Sequence, residues 1–364
     1  MAKTVLGIDI GYDSMKLALV SGKKVMKTLT VPMPKNLIQD GRTVSVETMG
    51  ELIRKTLKES GIRSSKGAVV LSSDAIFVRN VTMPQMSVDQ LLYNLPFEFR
   101  DYITEELKDY VYDYAVESFS EPEPEPPKEG EEGAGGIGAD APASPANPYG
   151  IPGQEQKAAK TMDLLAVAVP VSMMDETRQF IRKAGMKLIN AAPPICAYIN
   201  LIRNLPDGKK PESGEYCILD LGFRSVRMYM FKEDRHIVTR VLEIGLSGLD
   251  DVIAEAFNVD AHLAHTYLLT NYQDCVNKDY CVNSYNNISV ELMRAMNFYR
   301  FSNQESSLSD IWICGGGAAI APLCSAIASS LDLTVHNASE LIEGGEGIEN
   351  CHLFTQAIGI ALGQ

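Results

Sequence analysis

The sequence has little positive charge relative to its acidic content. Its 364 residues include 33 Lys and Arg against 47 Asp and Glu, so the formal net charge is −14 at pH 7. Nucleic acid and anionic membrane surfaces both repel a chain of this charge. We therefore expect no nucleic-acid binding and no direct membrane attachment.

The sequence also lacks paired cysteines and clustered histidines. The seven cysteines have no Cys-x-x-Cys spacing and their number is odd, which argues against a disulfide framework or a zinc site. The five histidines have no spacing with acids that suggests metal ligation. No Ser-His-Asp or Cys-His set stands out. We expect reduced thiols and a cytoplasmic protein.

Long apolar runs are absent as well. The longest, LLAVAVPV at 164–171, is too short to span a bilayer. The first residues, MAKTVLGIDIG, lack the apolar core of a signal peptide, so we expect no secretory leader. The length and a hydrophobic content of 45% allow roughly two or three domains with cores of their own.

One segment is too polar to order itself. Residues 121–150 are dominated by Pro, Gly and Glu, and their only large apolar side chains are Ile137 and Tyr149. Such composition is typical of disorder. Strand-like patterns precede and follow it, at YVYDYAVES and TMDLLAVAVP. We therefore predict a disordered hairpin loop over 119–158. The polar, Asn-rich stretch 271–287 is also predicted to be a loop.

A duplicated Asp-x-Gly hairpin is the most informative feature. GIDIGYDSMKLALV and CILDLGFRSVRMYMF can be laid over each other with Asp9 on Asp220 and Gly11 on Gly222. Each copy reads as an apolar strand, a tight turn and a second strand, and a third strand follows. A single Asp-x-Gly turn is common, because both residues favour turns. Two copies in register indicate an internal duplication.

The two hairpins, with a triple-glycine turn, have the parts of a phosphate site. Facing hairpins can offer backbone N–H groups to an oligophosphate where glycine leaves room. Asp9 and Asp220 would act through Mg²⁺ and its waters, and Lys16 would neutralise a terminal phosphate. In DIWICGGGAAIAPL (310–323), the glycines would lie against a nucleobase or the α-phosphate before a helix N-terminus.

These motifs resemble the actin-like ATPase superfamily, with phosphate loops at 7–16 and 218–228 and an adenosine loop at 313–318. Within it, the chain is similar to the PilM family of type IV pilus assembly, relatives of the cell-division protein FtsA. The residues that carry this resemblance are VTMPQMSVDQLLYNLPFEFRDYI, LLAVAVPVSMMDETRQFIRKAGMKLINAAPPICAYINLI, LEIGLSGLDDVIAEAF and AIGIALGQ. The resemblance covers the chain except for 121–150.

The resemblance implies an α/β actin-like ATPase fold, that is, a duplicated ribonuclease H-like fold with two lobes around a nucleotide cleft. Lobe I would comprise 1–75, completed by 190–212 and the C-terminal helix. A small inserted FtsA-type α/β subdomain would comprise 76–189, and lobe II 213–364. A helix is expected over SVDQLLYNLPFEFRDYI (87–103) in the inserted subdomain.

The resemblance also implies site residues. ATP with Mg²⁺ would be the cofactor, with Mg²⁺ held through water by Asp9 and Asp220. The implied nucleotide-binding residues are Asp9, Gly11, Tyr12, Asp13, Ser14, Lys16, Asp220, Gly222, Phe223, Arg224, Ser225, Gly245, Gly248, Gly315, Gly316, Gly317 and Ala318. The implied partner-binding residues are Phe97, Glu98 and Tyr102, in a cluster of aromatic residues that otherwise reads as core.

The chain departs from the family pattern at several of these places. Val226 stands where relatives have a hydroxyl residue, and His265 and Leu268 stand where they have Glu and Lys. Tyr12 and Asp13 replace small hydroxyl residues in the first loop. Each lost buried polar contact costs about 1–3 kcal/mol. We therefore expect weak or vestigial ATPase activity at most, with Asp9 and Asp220 as the candidate acids.

The function implied is a cytoplasmic scaffold at the inner face of the cell membrane. It would dock the cytosolic N-terminal tail of a PilN-like inner-membrane pilus protein and couple it to a motor ATPase. One alternative is an active ATPase or small-molecule kinase. Another is an FtsA-like filament, which the ending IALGQ disfavours because no basic amphipathic tail is evident. Self-association stays open.

Overall fold

The computed structural model describes residues 4–120 and 160–363. The disordered loop predicted at 119–158 lies outside the described residues from 121 onwards. Its first two residues are a correction, because Phe119 and Ser120 form the end of a strand that pairs with Met162 and Thr161. No helix in the described ranges is long and apolar enough to cross a membrane.

The strands and helices of the described residues follow one another in a single order. They are β1 (Thr4–Ile10), β2 (Ser14–Ser21), β3 (Lys24–Pro32), β4 (Ile38–Gln39), β5 (Arg42–Thr43), α1 (Val46–Ser60), β6 (Lys66–Val70), β7 (Phe77–Pro84), α2 (Val88–Asn94), β8 (Tyr110–Ser120), β9 (Thr161–Pro170), α3 (Val171–Lys183), β10 (Lys187–Ala192), α4 (Pro194–Arg203), β11 (Glu215–Leu221), β12 (Val226–Lys232), β13 (Arg235–Leu242), α5 (Ser247–Phe257), α6 (Ala261–Thr270), α7 (Asp279–Ser302), β14 (Asp310–Cys314), α8 (Ala321–Ser330), β15 (Thr334–Asn337) and α9 (Thr355–Leu362).

Two five-stranded sheets repeat one topology. Sheet I has the order β3-β2-β1-β6-β10 and sheet II the order β13-β12-β11-β14-β15. In each, three antiparallel strands are followed by two strands parallel to the first. The same connectivity in both sheets confirms the duplication that the two hairpins indicate.

A central helical layer joins the two sheets. Helices α4 and α9 pack against each other, and their apolar residues share one buried core with strands of both sheets. Small residues permit the close approach: a Cβ on Gly7 of β1 would overlap the backbone of Ala357 in α9. One apolar core, shared by both sheets, therefore lies around α4 and α9.

The third sheet, β7-β9-β8, is antiparallel and belongs to the segment inserted between β6 and α3. Helix α2 covers it, capped by a reciprocal pair of hydrogen bonds between Ser87 and Gln90. The prediction of one helix over 87–103 is wrong, because the α-helix ends at Asn94. The chain tightens into a 3₁₀ turn at Leu95–Phe99, because Pro96 has no N–H and its ring crowds the preceding turn.

The loop predicted at 271–287 is wrong. A 3₁₀ turn covers Tyr272–Asn277, and α7 begins at Asp279. Cys281 and Tyr285 of this stretch, and Ile288 directly after it, are buried in the core of sheet II, at the spacing of one helix face. The asparagines weaken local helix propensity, but burial of that face outweighs their effect.

Candidate functional site

The two hairpins match side chain for side chain. Asp9 lies opposite Lys16 across β1 and β2, and Asp220 lies opposite Arg227 across β11 and β12. We call residues 11–14 the first turn and residues 222–225 the second turn. A backbone N–H at Gly11 or Gly222 donates across its turn to the oxygen of residue 14 or 225, at 3.1 and 3.2 Å. Each lobe therefore presents an acid–base pair beside a glycine turn.

Both acids lie at the base of one cleft. Burial raises the pKa of Asp9 to about 6; Lys16 lowers it, Asp220 raises it and Arg227 lowers it. Burial also raises the pKa of Asp220, against the influence of Arg227 and Lys16. Gln356 of α9 donates to Asp220 at 2.8 Å. Because each charge acts on those of the other lobe, the four form one cluster.

Glycines bring the remaining predicted segments onto the second hairpin. A Cβ on Gly245 would overlap the backbone of Phe223 and Arg224, so the segment before α5 lies directly on the second turn. Gly315 has φ +80° and lies against Asp220 and Leu221 in the same way. Gly316, Gly317 and Ala318 continue as a 3₁₀ turn. Gly248, in α5, faces open space.

Four side chains bridge the cleft. Tyr12 Oη donates to Asp74 Oδ2 at 2.8 Å, and Arg227 Nη2 donates to Asp74 Oδ1 at 2.5 Å. The guanidinium carbon of Arg224 lies 3.8 Å from the ring centroid of Tyr12, a cation–π contact. Tyr12 and Asp74 belong to lobe I, and Arg224 and Arg227 to lobe II.

A second bridge runs through His265 of α6. Its Nδ1 lies 2.9 Å from Oδ2 of the buried Asp250, and its Nε2 lies 3.5 Å from Oδ1 of Asp13 in the first turn. The hydrogen bond with Asp250 raises the pKa of His265, burial opposes it, and Asp13 adds to the rise. The ring of Phe223 meets His265 edge-on. His265 therefore binds the two lobes together.

Two of the residues that depart from the family pattern lie in the apolar core. Val226 and Leu268 are 2% and 4% exposed and belong to the apolar core of sheet II. Ser225 is buried, and Ser14 is buried in the matching position. Neither Val226 nor Leu268 offers a polar atom to the cleft.

The sequence missed Arg227, Asp74, Gln356 and Asp250. Arg227 could have been identified from the duplication, because it follows Asp220 at the same spacing at which Lys16 follows Asp9. Asp74 follows the buried strand β6, and the carboxyl ends of parallel strands are where ligand sites form. Gln356 and Asp250 had no signal, because their contacts depend on the tertiary packing of α9 and α6.

As a site for Mg·ATP, this arrangement does not fit. The glycine turns and both acids are in place, yet the 3.8 Å contact between Arg224 and Tyr12 leaves no space for a phosphate between them. Arg227 already pairs with Asp74 and lowers the pKa of Asp9 and Asp220. Arg227 is thus engaged by Asp74 and Arg224 by the Tyr12 ring, whereas Lys16 donates to the backbone oxygen of Ser14.

A separate feature is an aromatic surface on the inserted segment. Phe97 and Tyr102 are 46% and 51% exposed, whereas Phe99 is buried beneath them. The guanidinium of Arg79 lies 4.0 Å from the ring centroid of Tyr102, and that of Arg100 lies 5.3 Å from that of Phe97. We call Phe97, Tyr102 and their neighbour Tyr93 the aromatic patch.

The inserted sheet, which the segment of the aromatic patch covers, is docked on lobe II. Asn80 of β7 donates to the backbone oxygens of His236 and Ile237 at 2.9 and 3.2 Å. Glu117 of β8 accepts from the N–H of His236 at 3.3 Å. These bonds satisfy backbone groups of β13, the edge strand of sheet II. Arg79 also donates to the backbone oxygen of Glu98, so Glu98 helps to hold the patch.

The duplicated sheets and facing Asp-x-Gly hairpins define a protein of the actin-like ATPase fold, with an inserted subdomain. The chain belongs to the family of type IV pilus assembly protein PilM, whose profile matches residues 7–128 and 149–363. The fold and the family that the sequence resemblance implied are thereby confirmed.

Solved structures agree on the fold. A chain of the PilM-PilN type IV pilus biogenesis complex is 20% identical with a TM-score of 0.75, covering 98% of this chain and 97% of its own. The ethanolamine utilization protein EutJ from Carboxydothermus hydrogenoformans is 11% identical with a TM-score of 0.57, covering 100% and 90%. At these identities the likeness concerns the fold alone.

Proposed function

We propose that this protein is a cytoplasmic scaffold of type IV pilus assembly, docking the cytosolic N-terminal tail of a PilN-like inner-membrane protein on its inserted subdomain. The observation that carries the proposal is the aromatic patch. Membership of the PilM family and the solved PilM-PilN complex support the choice of partner. The protein would lie at the inner face of the membrane through that partner.

The chemistry of the patch suits a peptide. Exposed aromatic rings flanked by arginine are the residue types that dominate protein interfaces. Phe97 and Tyr102 supply apolar area with few rotatable bonds, and Arg79 and Arg100 hold the rings in place. The free carboxylate of Glu98 would orient a basic or amide group of the tail. Phe97, Glu98 and Tyr102 are therefore the proposed docking residues.

The underlying subdomain is built to hold such a surface rigid. Leu91, Leu95 and Phe99 are buried against β7 and β9 in a core of their own. The rings of the patch thus stand on a packed layer, and little entropy is lost when a tail orders upon them. We keep the predicted division into lobe I, inserted subdomain and lobe II as part of this proposal.

Nucleotide binding is the weaker part of the proposal. Two turns that the family resemblance assigns to ATP are joined by the contact between Tyr12 and Arg224, and Arg227 is paired with Asp74. Docking at the patch needs no bound nucleotide and no Mg²⁺. The ATPase, kinase and filament alternatives have no comparable observation in their favour, and coupling to a motor ATPase stays a prediction.

Peptide binding tests the proposal. A fluorescent synthetic peptide of the cytosolic N-terminal tail from the organism's own PilN-like protein is titrated with purified protein. Phe97→Asp and Tyr102→Asp should each weaken binding roughly tenfold or more. The matched control is Phe301→Asp, because Phe301 is 78% exposed on α7 of lobe II. Equal affinity of all four proteins would refute docking at the patch.

A further inference from the structure

Asp74 of lobe I forms an ion pair with a side chain of lobe II. It lies in a 3₁₀ turn, Ser73–Ala75, directly after β6. One carboxylate oxygen accepts from Tyr12 of its own lobe and the other from Arg227 of lobe II. Both oxygens of a single side chain are thus engaged, and one of the two bonds crosses the cleft.

The surroundings hold Asp74 in this position. Ser72 Oγ accepts from the backbone N–H of Asp74 at 3.4 Å, which caps the turn. Gly41 lies so close behind that an added Cβ would come within 3.1 Å of the Asp74 Cβ. The carboxylate is therefore set before the lobes meet, and little side-chain entropy is lost when the ion pair forms.

Arg227 is committed to the same contact. Its side chain is 19% exposed and its Nε is buried without a partner. A buried guanidinium that loses its carboxylate incurs a large desolvation cost. Opening the cleft would require water to replace Asp74 on Arg227, and would separate the Tyr12 ring from Arg224.

We propose that Tyr12, Asp74, Arg224 and Arg227 form a latch that holds the two lobes closed without a bound nucleotide. In the latched state the guanidinium of Arg227 takes the role of a cation between the lobes. An oligophosphate can enter only after the latch opens, so the cleft is autoinhibited toward nucleotides. The inference goes beyond the docking function and does not depend on it.

The distance between the lobes tests the latch. Spin labels are placed at Lys55→Cys on α1 and Arg294→Cys on α7, both exposed, after Cys196 and Cys324 are replaced by serine. Pulsed electron resonance on nucleotide-free protein should give one narrow distance distribution. Asp74→Asn should raise the population of longer distances roughly tenfold, as expected for a lost charge-assisted hydrogen bond.

Further variants separate the latch from general loosening. Tyr12→Phe removes only the hydroxyl bond and should open the lobes less than Asp74→Asn does. Asp207→Asn, at an exposed acid in a distant turn, should change nothing. Salt at 1 M should broaden the distribution of the unaltered protein more than that of Asp74→Asn, because the variant lacks the ion pair that salt screens.

Two results would overturn the proposal. One is an unchanged distance distribution in Asp74→Asn at full helical content by circular dichroism. The other is micromolar binding of Mg·ATP by the unaltered protein with no change in the lobe distance. Peptide docking at Phe97 and Tyr102, measured separately, would survive either result, so failure of the latch and failure of the scaffold are distinguishable.

Discussion

Gly359 of α9 lies directly against the backbone of Ala197 in α4, so closely that any side chain would overlap the Ala197 carbonyl group. The contact lies in the helical layer between the two sheets. Neither helix can shift easily to admit a side chain, because the nearest atoms belong to the backbone of Ala197 and both helices are buried in the shared core. The close packing of α9 on α4 therefore depends on the absence of a Cβ at residue 359.

Gly359→Ala should destabilise the protein by at least about 2 kcal/mol, because an overpacked core forces the backbone to move. Urea unfolding followed by circular dichroism measures the change. Gly347→Ala is the matched control, since nothing lies within 4 Å of the added Cβ there, and it should stay within about 0.5 kcal/mol of the parent. Similar losses in both variants would contradict this account of the interface.

The edge contact of the inserted sheet gives a second prediction. Asn80→Ala should leave the backbone oxygens of His236 and Ile237 without their donor, at a cost of about 1–2 kcal/mol. Hydrogen exchange should rise in β13 and in β7 but not in β1. Gln85→Ala is a suitable comparison, because its side chain donates within the inserted segment only. Unchanged exchange in β13 would show that this contact does not fix the subdomain.

Local pattern was enough to predict the hairpins and most of the strands. The alternation in β1 and β2 indicates which side chains share a face, whereas the position of Lys16 opposite Asp9 depends on the register of the hairpin. The length of the helix before Phe99 could not be judged by periodicity, because Pro96 interrupts it without disturbing the apolar spacing. The helical start of α7 was missed since its asparagines mask the buried face.

The site was predictable only in its local parts. Asp-x-Gly and the glycine turn lie within short segments, whereas the partners that occupy the cleft come from distant places. Asp74 meets Arg227 because β6 ends at the cleft, and His265 meets Asp13 because α6 packs beside the second turn. No spacing in the chain encodes those meetings. The partners of the predicted phosphate loops therefore depend on tertiary contacts that no local pattern indicates.

His265 should make stability depend on pH. Its folded pKa is raised above the ordinary 6.5 by Asp250 and Asp13, against burial, so its stabilising effect is complete below 6.5 and is lost as pH rises through the folded value. His265→Gln should lower the melting temperature at pH 6, and the deficit should shrink by pH 9.

Few groups contact the His265 ring, so the pH dependence of the His265→Gln variant can be assigned to them. Asp250, Asp13 and the Phe223 ring contact His265, and Asp251 follows Asp250 in the chain. His262→Gln, at an exposed histidine of the same helix, should show no such trend. A deficit that grows with pH would reverse the sign assigned here and exclude a protonated bridge.

The buried carboxylate of Asp9 should lower the free energy of unfolding at neutral pH. Its pKa rises from 3.8 to about 6 in the folded protein, mainly through burial; Lys16 and Arg227 lower it and Asp220 raises it. Below pH 3.8 the carboxyl of Asp9 is protonated in both the folded and the unfolded protein. Between pH 4 and 6 it ionises in the unfolded protein first, so the free energy of unfolding falls as pH rises. Above pH 6 the full cost remains, up to about 3 kcal/mol.

Asp9→Asn should therefore match the parent near pH 4 and exceed it in unfolding free energy at pH 7.5, with the difference developing between pH 4 and 6. Asp207→Asn, at an exposed turn, should follow the parent throughout. A destabilised Asp9→Asn at pH 7.5 would mean that Lys16 and Arg227 compensate the ionised carboxylate fully. A stabilised variant would show that the buried, ionised carboxylate of Asp9 lowers the free energy of unfolding at neutral pH.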